Sequence, residues 1–427
     1  MQPLNIVVIG GGAAGFFGAI AAANAHPDAI VTLLEAGRQP LTKVRISGGG
    51  RCNVTHACFE PALLVQNYPR GGKALRGPFN RFQPRDTVAW FESRGVGLKT
   101  ESDGRMFPIT DDSETIVDCL YEAAKEAGVK IRTGMPVVAV KPTLGGKQEK
   151  IAMTDDRLAH THAFEIELKT GEIRKCDRIL LATGSHPTGY QIAQSLGHQI
   201  EPPVPSLFTF NIKDPRLEDL AGVSVDNARL QLKAGKTQLE QTGDLLVTHW
   251  GISGPAVLKL SAWGARLLHE SNYQATLSIN WLAQYNREDL RQQLLAVKSE
   301  SPRRQIAANC PLPIPRRLWQ RLVSYVGIDA EQKWAELSNK ALNLLIQELG
   351  EGKYQIQGKG VFKEEFVTCG GINLNLVNFK TMESRLVEGL YFAGEILDID
   401  GVTGGFNFQS AWTTAWISGQ AMCVAVS

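Results

Sequence analysis

The chain has 427 residues, 43% of them hydrophobic and 42 of them glycine, with a net charge of +2. This length exceeds one simple core and predicts two or three lobes of a globular α/β enzyme. The near-neutral balance excludes an overall pull towards nucleic acid or membrane and leaves room only for a local basic patch. Seven cysteines (Cys52, Cys58, Cys119, Cys176, Cys310, Cys369 and Cys423) are scattered and form no C-x-x-C pair. A zinc site or a disulfide framework is therefore not expected, and a reducing cytoplasm is the default compartment. No basic leader with a cleavage site and no apolar run of ~18 residues is found, so neither export nor a membrane span is expected.

In chain order, NIVVI (5–9) reads as a buried parallel strand. It runs into GGGAAG, where Gly10, Gly12 and Gly15 satisfy G-x-G-x-x-G, and then into a helix, FFGAIAAANA. A second strand, AIVTLLE, ends at Glu35, twenty residues past Gly15. Gly10 allows the tight turn, Gly12 the approach of a pyrophosphate, and Gly15 close packing of helix on sheet. The helix start, with Ala13 and Ala14, offers N–H groups and a positive dipole end to phosphates. Glu35, followed by Ala36, can accept from ribose hydroxyls and repels a 2′-phosphate. The unit predicts a dinucleotide and leaves NAD and FAD both open.

Residues 36–110 read mostly as loop, with a helix near 85–95. Within them KVRISGGGRCNVTH (43–56) carries a second glycine run that follows no clear buried strand. Residues 113–127 read as a helix with Ser113 as N-cap and Gly128 just past its end. VKIRTG, PVVAVKP, AFEIELKTG and EIRKCDRILLAT read as successive strands. Pro187, Gly189, Pro202, Pro203 and Pro205 mark 187–205 as a linker. Short strands over 206–248 suit a small barrel, 259–349 turns helical, and KYQIQGKGVFKEEFVTCGGI leads back to the first domain.

Two further strand-to-loop junctions, RILLATGS (178–185) and GLYFAGE (389–395), would join the first in lining one crevice. The second leads to a glycine loop at Gly404 and Gly405 and a helix from about Gln409 to Val424. A helix start aimed at a flavin ring carbonyl would stabilise the negative charge of the reduced ring.

These junctions resemble flavoproteins of the glutathione-reductase class. Together with KVRISGGGRCNVTH, LLVTHWGISGP (245–255), VTCGGI (367–372) and residues 381–412, they resemble the BaiN/YhiN-like family of FAD-binding oxidoreductases, which includes an aminoacetone oxidase. The resemblance spans nearly the whole chain. It implies an α/β fold: a glutathione-reductase-type, Rossmann-like FAD domain over 1–190 and 350–427. Inserted in it are a β-barrel-like domain over 191–258, with 350–372 as a candidate completion, and a further helical domain over 259–349. It implies FAD held by Gly10, Gly12, Ala13, Ala14, Gly15, Glu35, Ala36, Lys43, Gly49, Gly50, Arg51, Asn53, Val138, Ala182, Thr183, Gly184, Gly394, Glu395, Gly404, Gly405, Phe406 and Asn407. It assigns no catalytic residue and no metal. Cys369 stands where a small residue such as Ala is usual, and Phe406 where Tyr is common. The implied activity is redox on a small organic molecule, by C=C reduction with NAD(P)H or by amine oxidation with O2. The family is also linked to dihydrouridine formation in ribosomal RNA, which would make RNA a partner.

Residue chemistry narrows these branches. No second strand–GxGxxG–helix unit is found, so NAD(P)H, if used, docks without its own Rossmann domain. With no C-x-x-C, this speaks against a disulfide reductase. Cys52 reads first as a packed, inert thiol and only second as a redox group beside Arg51. Gly251-x-Ser253-Gly254-Pro255 fails the G-x-S-x-G nucleophile pattern at Pro255 and reads as a turn into a helix. His249 reads first as a hinge or packing residue and second as a proton donor. Arg51 and Asn53 are the strongest expected polar contacts in their loop and Arg45 the weakest. Arg303, Arg304, Arg316, Arg317 and Arg321, with Trp319 among them, read first as a solvated helix face and second as an RNA grip.

Overall fold

The computed structural model describes residues 3–143, 163–234, 237–360 and 367–422. It divides into two compact units, Met1–Pro203 with Val367–Ser427, and Val204–Phe366.

The first unit is built on a parallel sheet. Strand Asn5–Ile9 lies between Ile30–Leu34 and Arg178–Leu181, with Lys130–Arg132 and Leu390–Phe392 outside them. Apart from half-buried Ile30, Thr32 and Ile131, their β-branched and leucine residues are buried, as a helix-covered parallel sheet requires. An antiparallel pair, Val377–Asn378 and Glu383–Ser384, extends one edge. The registers Ile9↔Leu34, Ile9↔Leu181 and Leu181↔Phe392 bring the carboxyl ends of four strands level on one side. Helices Ala13–Ala25 and Phe406–Ala421 are almost entirely apolar or small and lie in the same buried cluster as the sheet.

Several local expectations change. Residues 36–110 are not mostly loop: they include helices Thr42–Gly50, Gly72–Phe79 and Pro84–Glu92 and a three-stranded sheet of Thr55–His56, Arg105–Pro108 and Leu98–Thr100. Ser113 occupies the N-cap of helix Glu114–Glu126, but its hydroxyl donates to Arg45 O (2.8 Å) instead of capping. The proline-marked stretch 187–205 is not a bare linker. Pro187 opens helix Pro187–Ser195, where its missing N–H costs nothing, and Pro202 and Pro203 lie in strand Ile200–Ser206. The last helix begins at Phe406, not Gln409, so Phe406 and Asn407 are helical; its expected end at Val424 lies outside the described residues.

The second unit is an antiparallel sheet of seven strands. Its two edge strands, Gly352–Ile356 and Gly358–Lys359, are separated in the chain by Gln357 alone. Opposite edges joined by one residue force the sheet to curl round on itself, which is the barrel-like shape. Helices Pro255–Trp263, Arg287–Glu300, Arg316–Tyr325 and Asn339–Glu351 pack with these strands in one apolar core. The expected boundary at 258/259 falls inside that core. Part of the expected return stretch, 361–366, lies outside the described residues.

Candidate functional site

The level strand ends define the site. At the first of them, Gly10 turns out of the strand and its N–H donates to Leu34 O (2.8 Å). Gly15 sits so close to the Gly10 carbonyl that a Cβ would come within 1.8 Å of its oxygen. Gly12 is the N-cap of helix Ala13–Ala25; no side chain caps this end, and no acid stands in its first turn. A Cβ on Gly12 would have nothing within 4 Å. The turn is thus glycine-tight towards the protein and open on its outer side.

Glu35 leaves the second strand with its carboxylate accepting from the N–H groups of Gly11 and Gly37, both at 2.6 Å. Ala36 is exposed beside it. Gly134 N–H donates to Gly37 O (2.9 Å) and Met135 N–H to Glu35 O (2.8 Å). These bonds bring the start of a small antiparallel sheet (Val137–Pro142, Phe164–Leu168 and Ile173–Cys176), with exposed Val138, alongside Glu35 and Ala36.

At the third and fourth strand ends, Ala182 O backs directly onto Gly10, and Gly394 lies against Ala14 so closely that a Cβ would meet the Ala14 methyl at 2.7 Å. Gly394 N–H donates to Thr414 Oγ1 (3.0 Å) in the C-terminal helix. Glu395 is a hub. Its Oε2 pairs with Lys43 Nζ (2.6 Å) and its Oε1 accepts from Thr368 N–H (3.0 Å).

KVRISGGGRCN forms a helical turn from Thr42 that breaks at Ser47. Gly48, Gly49 and Gly50 then adopt φ of 59°, 69° and 86°, a left-handed run that side chains disfavour. A Cβ at Gly49 or Gly50 would meet nothing within 4 Å, so this backbone is also bare on its outer side.

Its charged flank is held by the protein's own groups. The Arg51 guanidinium is already held by Glu101 (2.6 Å) and lies 4.0 Å from the centre of the Phe107 ring. The Glu101 hydrogen bond raises its pKa. Asp111, reached by both Lys99 and Arg51, is held below the usual carboxylate range, chiefly by Lys99. Arg45 pairs with Glu114 (2.7 Å).

Asn53 links two distant loops. With its amide oriented to suit its neighbours, its oxygen accepts from Gly405 N–H (2.9 Å) and its nitrogen donates to Thr55 O (3.0 Å). Gly404 and Gly405, at φ of 125° and 90°, lead into the C-terminal helix, whose start has no side-chain cap and no first-turn acid. Phe406 stacks on His56 (centroids 4.5 Å apart), and its carbonyl accepts from the Tyr68 hydroxyl (2.6 Å). His56 Nδ1 faces Gly404 O at 2.9 Å, which places a proton on that nitrogen. Asn407 exchanges two hydrogen bonds with the Gly401 backbone (2.8 and 2.9 Å).

The sequence offered no signal for the residues that seat this end. Buried Gln409 accepts from Thr55 Oγ1 (2.6 Å) and Thr87 Oγ1 (2.9 Å), and Trp412 Nε1 donates to Val54 O (2.9 Å). Arg70 Nε donates to buried Asp400 (2.5 Å). Cys52 is fully buried, and burial pushes its thiol up to about 12, against its hydrogen bond with Ser47. Burial thus holds the thiol in its protonated form.

Elsewhere, His249 and Trp250 are exposed at the turn between Thr237–Thr248 and Gly251–Ser253. Trp319 is not available for stacking on a base: it is buried, with Nε1 donating to Ile306 O (2.8 Å) and Trp334 stacked on it. Arg317 and Arg321 are tied to Asp219, whereas Arg303, Arg304 and Arg316 are exposed. No cluster able to hold a metal ion, and no helix long and apolar enough to cross a membrane, occurs among the described residues.

Two helix starts without caps or acids, backbone glycines with open outer faces and an acid at the second strand end fit an anionic dinucleotide. A Rossmann-type sheet carrying these features, with a barrel inserted, defines an FAD-dependent oxidoreductase. The chain belongs to the HI0933-like family, of the BaiN/YhiN type: the family model described as the HI0933-like protein Rossmann domain matches residues 4–421. It is 30% identical to the ribosomal RNA dihydrouridine synthase of Escherichia coli K12, over all of both chains. It is 29% identical to a 3-dehydro-bile acid delta(4,6)-reductase of Clostridium scindens, over 98% of each. Among solved structures, a 3-ketosteroid-delta4-(5alpha)-dehydrogenase of Rhodococcus jostii RHA1 aligns over 100% of this chain and 98% of its own, with a TM-score of 0.51 and 14% identity, a likeness of fold.

Proposed function

We propose that this chain is a flavin-dependent reductase of an activated carbon–carbon double bond in an organic substrate, with NAD(P)H as the electron source. The observation that carries the cofactor assignment is the set of level strand ends flanked by two uncapped, glycine-led helix starts. In this reading the Gly10–Gly15 turn, with Ala13 and Ala14, receives the pyrophosphate. Glu35, Ala36 and Val138 border the adenosine end. Ala182, Thr183, Gly184, Gly394 and Glu395 line the middle. Gly49, Gly50, Asn53, Gly404, Gly405, Phe406 and Asn407 border the ring, with Lys43 at the rim on Glu395. FAD bound there supplies two-electron transfer. The chain's part is to orient it, to keep its N-terminal helix dipoles on the anionic groups and to exclude water.

C=C reduction is favoured over amine oxidation by the names of the two full-length relatives. Dihydrouridine is uridine with its ring double bond reduced, and a delta(4,6)-reductase saturates a conjugated system. The test is anaerobic. The purified protein should be yellow, bleach with NADH or NADPH, and recover its colour on adding a conjugated enone or uridine-containing RNA. Protein that cannot be reconstituted with FAD refutes the cofactor reading; flavin that only O2 reoxidises refutes the reductase reading.

A second reading, that the substrate is ribosomal RNA, is favoured by the Escherichia coli relative's name and by exposed Arg303, Arg304 and Arg316. It expects salt-dependent binding of a ribosomal RNA fragment that weakens when these three arginines become alanine. Binding that is negligible at low salt rejects it.

A further inference from the structure

Two hydroxyl groups at the carboxyl edge of the parallel sheet are buried with no hydrogen-bond partner, Thr183 Oγ1 and the Tyr190 phenol oxygen. Both lie on the segment that leaves strand Arg178–Leu181 and turns into helix Pro187–Ser195. Tyr190 is only 6% exposed. Its neighbour Gly189 presses so closely on Thr183 that a Cβ there would overlap the Thr183 hydroxyl. The Thr183 side chain is thereby fixed under the first turn of the helix. The outer side of Gly184 meets one group within 4 Å of a built Cβ, the Glu395 Oε2 at 3.7 Å. The two hydroxyls therefore border the same edge as the Glu395 carboxylate.

Buried polar groups are nearly always paired, because leaving a donor without an acceptor forfeits its hydration. Two such groups seven residues apart, beside a site open on its outer side, call for a ligand that supplies their partners. Burial, with the charges of Glu395 and Asp398, pushes the Tyr190 phenol up, so it stays a donor. The same carboxylates repel a phosphate. Neutral hydroxyls beside carboxylates match a polyhydroxylated chain, each of whose hydroxyls both donates and accepts.

We propose that Tyr190 and Thr183 hold the ribityl hydroxyls of the flavin, fixing the sugar-alcohol chain between pyrophosphate and ring. This rests on the FAD reading above. The test uses apoprotein and fluorescence-quenching titration with FAD and with FAD analogues lacking single ribityl hydroxyls. Tyr190→Phe and Thr183→Val, which keep shape and remove one polar group each, should each raise the Kd for FAD about three- to tenfold. Each penalty should vanish with the analogue that lacks the matching hydroxyl. An unchanged Kd in both variants, or an equal penalty with every analogue, overturns the proposal while leaving FAD binding intact. Wild-type apoprotein that binds no FAD overturns the cofactor reading itself, and this proposal with it. Circular dichroism and the melting temperature of each apo variant establish that the fold is kept, so that a loss of affinity reports on the missing hydroxyl.

Discussion

Replacing Gly12 by alanine separates fold from cofactor binding. Gly12 has φ −88° and ψ −171°, an extended conformation that any residue adopts, and its Cβ would meet nothing within 4 Å. The protein itself therefore has room for the methyl. The expected cost to apoprotein stability is that of a poorer N-cap, about 1 kcal/mol or less. The cost to binding is different. If a pyrophosphate lies against this backbone, the methyl occupies its place, an overpacking penalty of about 1–3 kcal/mol. That corresponds to a Kd for FAD raised roughly five- to 150-fold. The assays are FAD fluorescence quenching for Kd and urea denaturation of the apoprotein for stability. Gly15→Ala is the contrast: its Cβ would overlap the Gly10 carbonyl, so apoprotein stability should fall as well. A Gly12→Ala protein with unchanged stability and unchanged Kd would refute the placement of the pyrophosphate at this turn.

Because Arg51 is already engaged by Glu101 and Phe107, Arg51→Ala should leave the Kd for FAD within about twofold; a tenfold loss would assign its guanidinium to the cofactor. His198 donates from Nδ1 to Ala193 O (3.1 Å), accepts from the Ser384 hydroxyl (2.8 Å), and is held neutral because burial lowers its pKa. Its contribution is thus fully present above the unfolded value of about 6.5 and is lost as pH falls through the lower folded value. Urea midpoints should drop between pH 6.5 and 5 by more in wild type than in His198→Asn; parallel curves would reject this. Cys52 should resist a thiol reagent in native protein at pH 8, and Cys52→Ala should keep full flavin content; rapid labelling or loss of flavin would return it to the chemistry.

The sequence by itself determined the first βαβ unit. NIVVI, the three spaced glycines, the apolar helix and the strand ending at Glu35 lie within one window, and each follows from local periodicity or backbone sterics. It also determined the glycine loops, since left-handed backbone at Gly48–Gly50 and Gly404–Gly405 is written in residue type. What it could not determine is which partner each polar side chain takes. Arg51 reads along the chain as a cofactor contact, and only the fold brings Glu101 and Phe107 to its guanidinium. Trp319 reads first as part of a solvated helix face and second as a stacking platform, and the second unit's core closes over it instead. Thr55 and Gln409, 354 residues apart, meet only because the C-terminal helix packs back on the first unit. Tyr190 and Thr183 gain their meaning only from the burial that leaves their hydroxyls unpaired. Local sterics act over a few residues and can be read along the chain. Pairing and desolvation depend on what arrives from elsewhere, and that is settled by tertiary packing alone.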